Sequence, residues 1–490
     1  MNKRLSSYIL LSFLQLLLSC RPDGGSQPQG SSKEGITVFI HAHHSTVNLA
    51  DVDRNSYFIG KNRSRAFFER KLKNISGVNP SEHFCSDRSE KVANAQSYAD
   101  VDACLKEFSK DRRIDHIVVG PSESLVMMGG HFRSQYSVPG FKKDFVERFV
   151  DKHVMKKYLL ARDPDILTSQ QLYIGPEYKN VSVDKLQKYI EDHFGSHYTK
   201  FVIKPTSEAG SRGVEVFEKS PSLYEDMALY LRSADKESAQ AGYVLENFVE
   251  GTVLRFDGYI AEKSFINFTS SSNVTPLNFY QYGHPLLETL VKDPIAVARY
   301  DEYARRILKA LDYPKGIFHL EAIEDPEGKL HFLEIAIRVG GGNKRGLTLL
   351  GYNPELAYLY TQLNKDITFT PNNKMLVNFT LMTPLFFTNT NQKHKIKAFE
   401  FDLKNLETFM SKHSSFFYQV GDSMEAPNRD LFELNFVGDD EETVLKESQS
   451  VFDSMKIEVI FRGGLFDKHV FRAFKDGWKS VMENFNEKDS

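Results

Sequence analysis

Residues 316 to 342 read GIFHLEAIEDPEGKLHFLEIAIRVGGG, two short apolar runs joined by Asp325-Pro326-Glu327-Gly328. Asp, Pro and Gly stand there at positions that a type I turn favours, so the stretch is expected to form a β-hairpin. With Glu324 opposite Lys329, His319 faces Glu334 and Glu321 faces Phe332, which makes the two glutamates diagonal neighbours on one face. Carboxylates that close repel unless a cation lies between them, and Mg²⁺ takes one or two carboxylates plus phosphate oxygens at about 2.0–2.1 Å. Arg338 follows on the same face, with a planar guanidinium suited to forking onto phosphate. The chemistry such a face could do is metal-assisted handling of a phosphate. The plainer alternative is a hairpin whose solvated face carries Glu, His and Arg.

The elements that must position these residues lie upstream. Lys204 ends a strand that starts at Lys200, and Pro205 to Gly213, with Gly210, Ser211 and Gly213 at its tip, leads to a return strand from Val214 to Phe217. Such a loop lets backbone N–H groups approach a phosphate closely, although a Gly/Ser-rich tip is also the composition of a plain mobile turn. Tyr243 to Gly251 reads as a strand and a short connection, and another strand lies around Phe256 to Ile260. The pattern from Phe141 to Ala161 predicts one helix with Asp151-Lys152 in its middle, ended by Asp163-Pro164-Asp165. An amphipathic helix is expected over 298–312, and a helical stretch from Gly342 to about Leu363.

Apolar strands at Ile36–Ile40 and Ile114–Gly120, with a helix around Ser97–Ser109 between them, give the alternation of an open α/β sheet. Ser122 is placed to cap the helix that follows, and His41, His43, His44 and Ser45 stand just after the first strand, where such sheets collect ligands. Toward the C-terminus, strands are expected near Met375–Met382 and Ile457–Arg462, and Asp439-Asp440-Glu441-Glu442 opens a surface helix between them.

The chain of 490 residues, 41% hydrophobic, is long enough for several packed units. Its 62 basic and 65 acidic residues leave no basic excess of the kind a nucleic-acid partner requires. Lys3 and Arg4 precede an apolar run from about Tyr8 to Leu18 that is too short to span a bilayer and reads as a secretory signal. Leu17-Leu18-Ser19-Cys20 resembles the lipobox of bacterial lipoproteins, in which the cysteine is lipidated, and 21–35 then reads as a flexible tether. The remaining Cys85 and Cys104 either pair in an oxidising compartment or are two unrelated thiols.

In order and spacing, these features resemble the ATP-grasp superfamily, over roughly Ile36 to Leu363, and within it the carboxylate-amine ligase branch. The resemblance implies an α/β (α+β) fold: an N-terminal pre-ATP-grasp domain over 36–140, the ATP-grasp domain over 141–363 and a small C-terminal α+β subdomain over 364–490, after a signal over 1–20. Asp151-Lys152-His153-Val154-Met155 matches the family's D-K-x-x-M helix and Val202-Ile203-Lys204-Pro205 the strand before its flap. By that match Lys152 and Lys204 contact ATP, Ser211 and Gly213 belong to the flap over its phosphates, and Glu246, Asn247, Phe248 and Val249 form the hinge that holds adenine. Glu321 and Glu334 match the metal-binding acids, for Mg²⁺ or alternatively Mn²⁺, and Arg338 the arginine near the transferred phosphate.

There are two departures. Ala336 stands where the family motif usually has Asn, and Val253 and Leu254 stand where an acid often binds the ribose. The activity implied is ATP-dependent joining of a small carboxylate to an amine, amino acids in particular, at a membrane if Cys20 is lipidated and in the cytoplasm if the signal is unused. Two rivals stay open: a non-catalytic nucleotide- or peptide-binding lipoprotein, and an ATP-grasp enzyme with a non-amine acceptor. The loops His41–Ser45, Gln281–His284 and Gly340–Arg345 are candidates for the acceptor pocket.

Overall fold

The computed structural model describes residues 33–42, 47, 49–60, 65–87, 94–195, 198–233, 242–382, 393–400, 415–416, 423–424, 430–454, 456–462, 469–474 and 477–481. The signal, most of the tether and His43, His44 and Ser45 lie outside them. Among the described residues no helix is long and apolar enough to cross a membrane.

The first sheet is parallel, with β1 (Glu34–Ile40), β2 (Ser56–Ile59), β3 (Phe84–Cys85) and β4 (Arg112–Val119) in the order β3-β2-β1-β4. Its strands are apolar because both faces are covered: Val101, Leu105 and Phe108 of the helix Ala95–Phe108 pack on one side, and Phe68 and Leu72 of the helix Arg65–Lys73 on the other. Cys85 and Cys104 form a disulfide with Cα atoms 5.9 Å apart, the pairing that spacing alone left open. Ser122 caps the helix Glu123–Gln135, its Oγ accepting from Leu125 N at 3.4 Å.

The single helix expected over 141–161 is two, Lys143–Glu147 and Lys152–Arg162. Asp151 separates them as an N-cap, its Oδ1 accepting from His153 N and Val154 N, both at 2.9 Å, and a side chain so engaged starts a helix instead of continuing one. Lys152 therefore stands in a first turn, and its backbone N donates to Thr206 O in the glycine-rich loop at 2.8 Å.

A four-stranded antiparallel sheet follows, with β5 (Gln171–Ile174), β6 (Lys200–Pro205), β7 (Glu215–Glu218) and β8 (Tyr243–Asn247) in the order β5-β8-β6-β7. The helices Val183–Phe194 and Leu223–Ser233 cover one face with Leu186, Ile190, Met227 and Leu231. Alternation along β6 turns Phe201 and Ile203 toward those helices and leaves Val202 and Lys204 on the other face.

The central sheet has eight strands: β9 (Thr252–Ala261), β10 (Ser264–Ser272), β11 (Leu286–Leu290), β12 (Gly316–Glu324), β13 (Leu330–Ala336), β14 (Met375–Met382), β16 (Ser415–Phe416) and β18 (Asp430–Gly438). They run in the order β13-β12-β9-β10-β11-β14-β18-β16. The helix Pro294–Ala310 buries Tyr300, Ala304, Ile307 and Leu308 in the same core as Phe256 and Leu320. The expected domain limit at 363–364 thus falls before strands that extend this sheet. The strands β15 (Lys393–Glu400), β17 (Ser423–Met424), β19 (Lys456–Arg462), β20 (His469–Phe474) and β21 (Gly477–Val481) form a separate five-stranded sheet.

The parallel sheet is fastened to the central one through buried polar contacts. Gln362, in the helix Pro354–Gln362, accepts from Val119 N at 2.8 Å and donates to Val119 O at 3.1 Å, while Tyr358 donates to Gly120 O at 3.0 Å.

Candidate active site

The hairpin β12–β13 brings Glu321 and Glu334 closer than the sequence register allows. Gly328 N donates to Asp325 O and Asp325 N to Lys329 O, so Glu324 pairs with Leu330 instead of Lys329. A bulge next to Glu321 shifts the register again: Ala322 pairs with Phe332 and Glu321 with Glu334, leaving Leu333 as the extra residue. The diagonal relation becomes direct opposition, and His319 pairs with Ala336. Each acid has its own cation. Lys152 Nζ lies 3.3 Å from Glu334 Oε2, while Arg255 Nε and His319 Nε2 each lie 3.4 Å from Glu321 Oε1. Burial alone raises a carboxyl, but His319 and Arg255 outweigh it and hold Glu321 at about 2. His319, against the effect of its own burial, is pushed up to about 10 by Asp257, whose Oδ1 is 2.8 Å from His319 Nδ1, and by Glu321.

Facing the hairpin is the open side of the four-stranded sheet, and between them lies a cleft open to solvent. Lys152, Lys204, Ser211, Glu246, Asn247, Phe248, Val249, Glu321 and Glu334 all line it. Two of the residues singled out from sequence do not. Gly213, at φ +64°, packs under Pro205 and accepts from the Tyr230 hydroxyl, so Gly210 takes its place in the lining. Arg338 lies beyond the end of β13, its Nε donating to Glu123 Oε1 at 2.5 Å with Nη2 on the same oxygen.

The hinge is tied within the protein. Asn247 N donates to Gln170 O at 3.3 Å and Phe248 N to Lys200 O at 3.0 Å, and the Lys200 ammonium sits 3.9 Å from the centre of the Phe248 ring. Val253 and Leu254, in place of a ribose-binding acid, are buried, and Val253 lines the cleft together with Glu250 and Gly251.

One residue that sequence reasoning missed is Lys156, one turn beyond Lys152. Its Nζ donates to Glu246 Oε1 at 2.5 Å and to Ser169 Oγ at 2.7 Å, while Lys204 Nζ donates to Glu246 Oε2 at 2.8 Å. All of the Glu246 carboxylate is engaged, and against its burial the two ammoniums hold it at about 2. The i, i+4 spacing of Lys152 and Lys156 was the available signal. His319 was placed on the hairpin face without a role, and Arg255 and Glu288 were also missed. A charged residue inside an apolar strand, as Arg255 is in Val253-Leu254-Arg255-Phe256, was their signal.

The donor set suits a hard cation. Two carboxylates on one hairpin supply oxygen ligands, and phosphate or water oxygens complete the shell in Mg²⁺ sites. Among the described residues no group of three or more His, Cys, Asp or Glu is gathered to hold a metal alone, in keeping with Ala336 at the end of β13.

Residues 197–345, from the strand bearing Lys204 through the hairpin, match the family model of an ATP-grasp domain. No curated protein matches the sequence. Among solved structures, the chain is similar to L-amino acid ligase from Bacillus licheniformis, with 13% identity, a TM-score of 0.58, and 87% of this chain and 99% of that one covered. It is also similar to a carboxyaminoimidazole ribonucleotide synthase from Aspergillus clavatus complexed with ATP (13% identity, TM-score 0.58, 86% and 98% covered). A third is the biotin carboxylase domain of 2-oxoglutarate carboxylase from Hydrogenobacter thermophilus, in complex with MgADP and bicarbonate (12%, TM-score 0.59, 89% and 91%). The chain therefore has the ATP-grasp fold, and residues 197–345 carry its ATP-grasp domain.

Proposed function

We propose that this protein is an ATP-dependent ligase that joins a small carboxylate to an amine through an acyl-phosphate, releasing ADP and phosphate. The observation that carries the reading is the direct opposition of Glu321 and Glu334 in a cleft that also holds Lys152, Lys204 and the glycine-rich flap. Two solved relatives are described as ligase or synthase, and one was solved with ATP bound.

Adenine lies against Asn247, Phe248 and Val249, and Lys204 and Lys152 meet the phosphates, where fixed positive charge offsets the charge spread over the phosphoryl oxygens. Mg²⁺ held by Glu321 and Glu334 supplies neutralisation of the phosphate oxygens. The substrate carboxylate attacks the γ-phosphorus, forming the acyl C–O–P link as the bond to ADP breaks. Arg338 offsets the developing charge, and the amine then attacks the acyl carbon with phosphate leaving. Residues 206–213 exclude water, which otherwise hydrolyses the acyl-phosphate before the amine arrives. Lys152 couples the two tasks, since its Nζ donates to Glu208 O in the flap at 2.6 Å and also stands beside Glu334.

The expected location is outside the cytoplasm on a lipid anchor at Cys20, a reading supported by the Cys85–Cys104 disulfide, which belongs to an oxidising compartment. In cell fractionation, Cys20→Ser should release the protein from membranes, and unchanged association rules out that anchor.

The catalytic reading is tested by ADP release from Mg-ATP with pairs of amino acids. Release that requires both a carboxylate and an amine supports it. Mg-ATP binding without turnover for any pair favours the non-catalytic alternative, and release with a carboxylate and a thiol or phosphate favours a different acceptor.

A further inference from the structure

The acids of the hairpin are one end of a polar row that crosses a face of the central sheet. In register, Glu334 opposes Glu321, Glu321 opposes Arg255, Ser272 opposes Glu288, Glu288 opposes Asn378 and Asn378 opposes Asn435. Opposed residues of antiparallel strands share a face. Arg255 joins the two halves, its Nη1 donating to Glu288 Oε1 at 2.6 Å. The far half is roofed by the glycine-rich loop after Arg338. A Cβ at Gly342 would lie 3.2 Å from Glu288 Oε2, and one at Gly346 would lie 2.6 Å from Asn343 Oδ1 and 2.5 Å from Asn435 Oδ1.

Three acceptors of this row and its roof have no hydrogen-bond partner among the described residues: Glu288 Oε2, Asn343 Oδ1 of the loop, and Ser272 Oγ of the residue opposite Glu288. Their residues are 1%, 5% and 8% exposed. Leaving such atoms unsatisfied is costly, and a carboxylate oxygen costs most, so the arrangement calls for a partner that only donates and carries positive charge. An ammonium group has three donors and no acceptor. We propose that Ser272, Glu288 and Asn343 form a subsite for a protonated primary amine, the ammonium group of an amino-acid substrate. Burial raises the Glu288 carboxyl despite Arg255, which a bound cation offsets. The subsite lies next to Arg255, whose Nη1 donates to Glu288 Oε1 and whose Nε is 3.4 Å from Glu321 Oε1.

This inference rests on the ligase reading for its identification of the ammonium's owner, and two measurements separate the fates of the two. The first is calorimetry of glycinamide, which has an ammonium and no carboxylate, on the full chain in detergent with Mg-ADP. Wild type should bind it, and Ser272→Ala or Glu288→Gln should weaken binding by about tenfold or more, the worth of one charge-assisted hydrogen bond. No binding by wild type, or equal binding by both variants, overturns the subsite whatever the activity. Because Glu288→Gln leaves Arg255 short of a charge partner, Ser272→Ala and Asn343→Ala keep the test valid if that variant fails to fold.

The second measurement assigns the ammonium to donor or acceptor by hydroxamate formation with hydroxylamine, which arrives uncharged. If the subsite holds the donor, free amino acids form hydroxamates, N-acetyl amino acids do not, and the variants lose that preference. If it holds the acceptor, the variants keep hydroxamate formation but lose coupling to glycinamide. Variants that match wild type in both arms overturn the proposal, while hydroxamate absent from wild type sinks the ligase reading alone.

Discussion

Arg338 and Glu123 form a doubly contacted ion pair across 215 residues of sequence, joining the end of the hairpin β12–β13 to the first turn of the helix capped by Ser122. Burial works against the Glu123 carboxyl, yet the Arg338 guanidinium holds it below the usual carboxylate range. If the proposed function holds, the guanidinium that would meet a transferring phosphoryl group is held by Glu123 of the helix Glu123–Gln135.

Glu123→Gln should lower kcat by about 10- to 100-fold, as expected when a reacting-site group shifts by about 1 Å, while the KM for ATP stays near that of wild type. Glu123→Asp should recover part of the loss. Steady-state kinetics check this, and a kcat that does not change would mean that Arg338 needs no such support.

Glu334→Ala should abolish Mg²⁺-dependent turnover and leave the fold intact, because the side chain sits in the cleft and its nearest cation, Lys152, keeps its bond to Glu208 O. Activity within about threefold of wild type, under roughly 0.7 kcal/mol of barrier, contradicts the metal assignment.

The hairpin, the flap and the order of the lysines were legible because turn residues and alternation are local signals. The register was not. Whether a turn closes on Lys329 or Leu330, and whether a bulge follows, depends on what the outer edge of β13 meets, and there Phe332 N donates to Leu167 O at 2.8 Å. For the same reason the sequence offered nothing on Lys156 beyond its i, i+4 spacing from Lys152: its partners Ser169 and Glu246 lie on other strands and connections, and only the fold brings them to one ammonium. The break at Asp151 was readable in principle, since Asp before a helical run is an N-cap signal, but the continuous apolar pattern on both sides concealed it.

Gly210 has φ +61° and lines the cleft, so a β-branched side chain there must abandon the left-handed region or strain it. Gly210→Val should raise the apparent KM for ATP by about 5- to 30-fold, the equivalent of roughly 1–2 kcal/mol. Unchanged ATP affinity and turnover would make 206–213 an ordinary surface loop.

Lys156→Met removes one partner of a buried pair and should destabilise the protein by about 3–5 kcal/mol, read as a lower urea midpoint. The pH dependence follows from Glu246, whose ordinary value of 4.5 falls to about 2 on folding. A depressed carboxyl contributes stability that is complete above pH 4.5 and is lost as pH falls toward 2. In Lys156→Met the folded value of Glu246 rises, so the acid loss should still begin near pH 4.5 but be smaller and end at higher pH, and an unaltered acid limb would show that Lys204 alone holds Glu246.

The central claim is that the carboxylate is phosphorylated before the amine attacks. Its most direct measurement is transfer of ¹⁸O from carboxyl-labelled amino acids, in the presence of Mg-ATP and an amine acceptor, followed by mass spectrometry of the phosphate released. The account predicts one ¹⁸O in the phosphate for each amide formed, because the acyl C–O–P link breaks on the carbon side. Amide formation with unlabelled phosphate would contradict it.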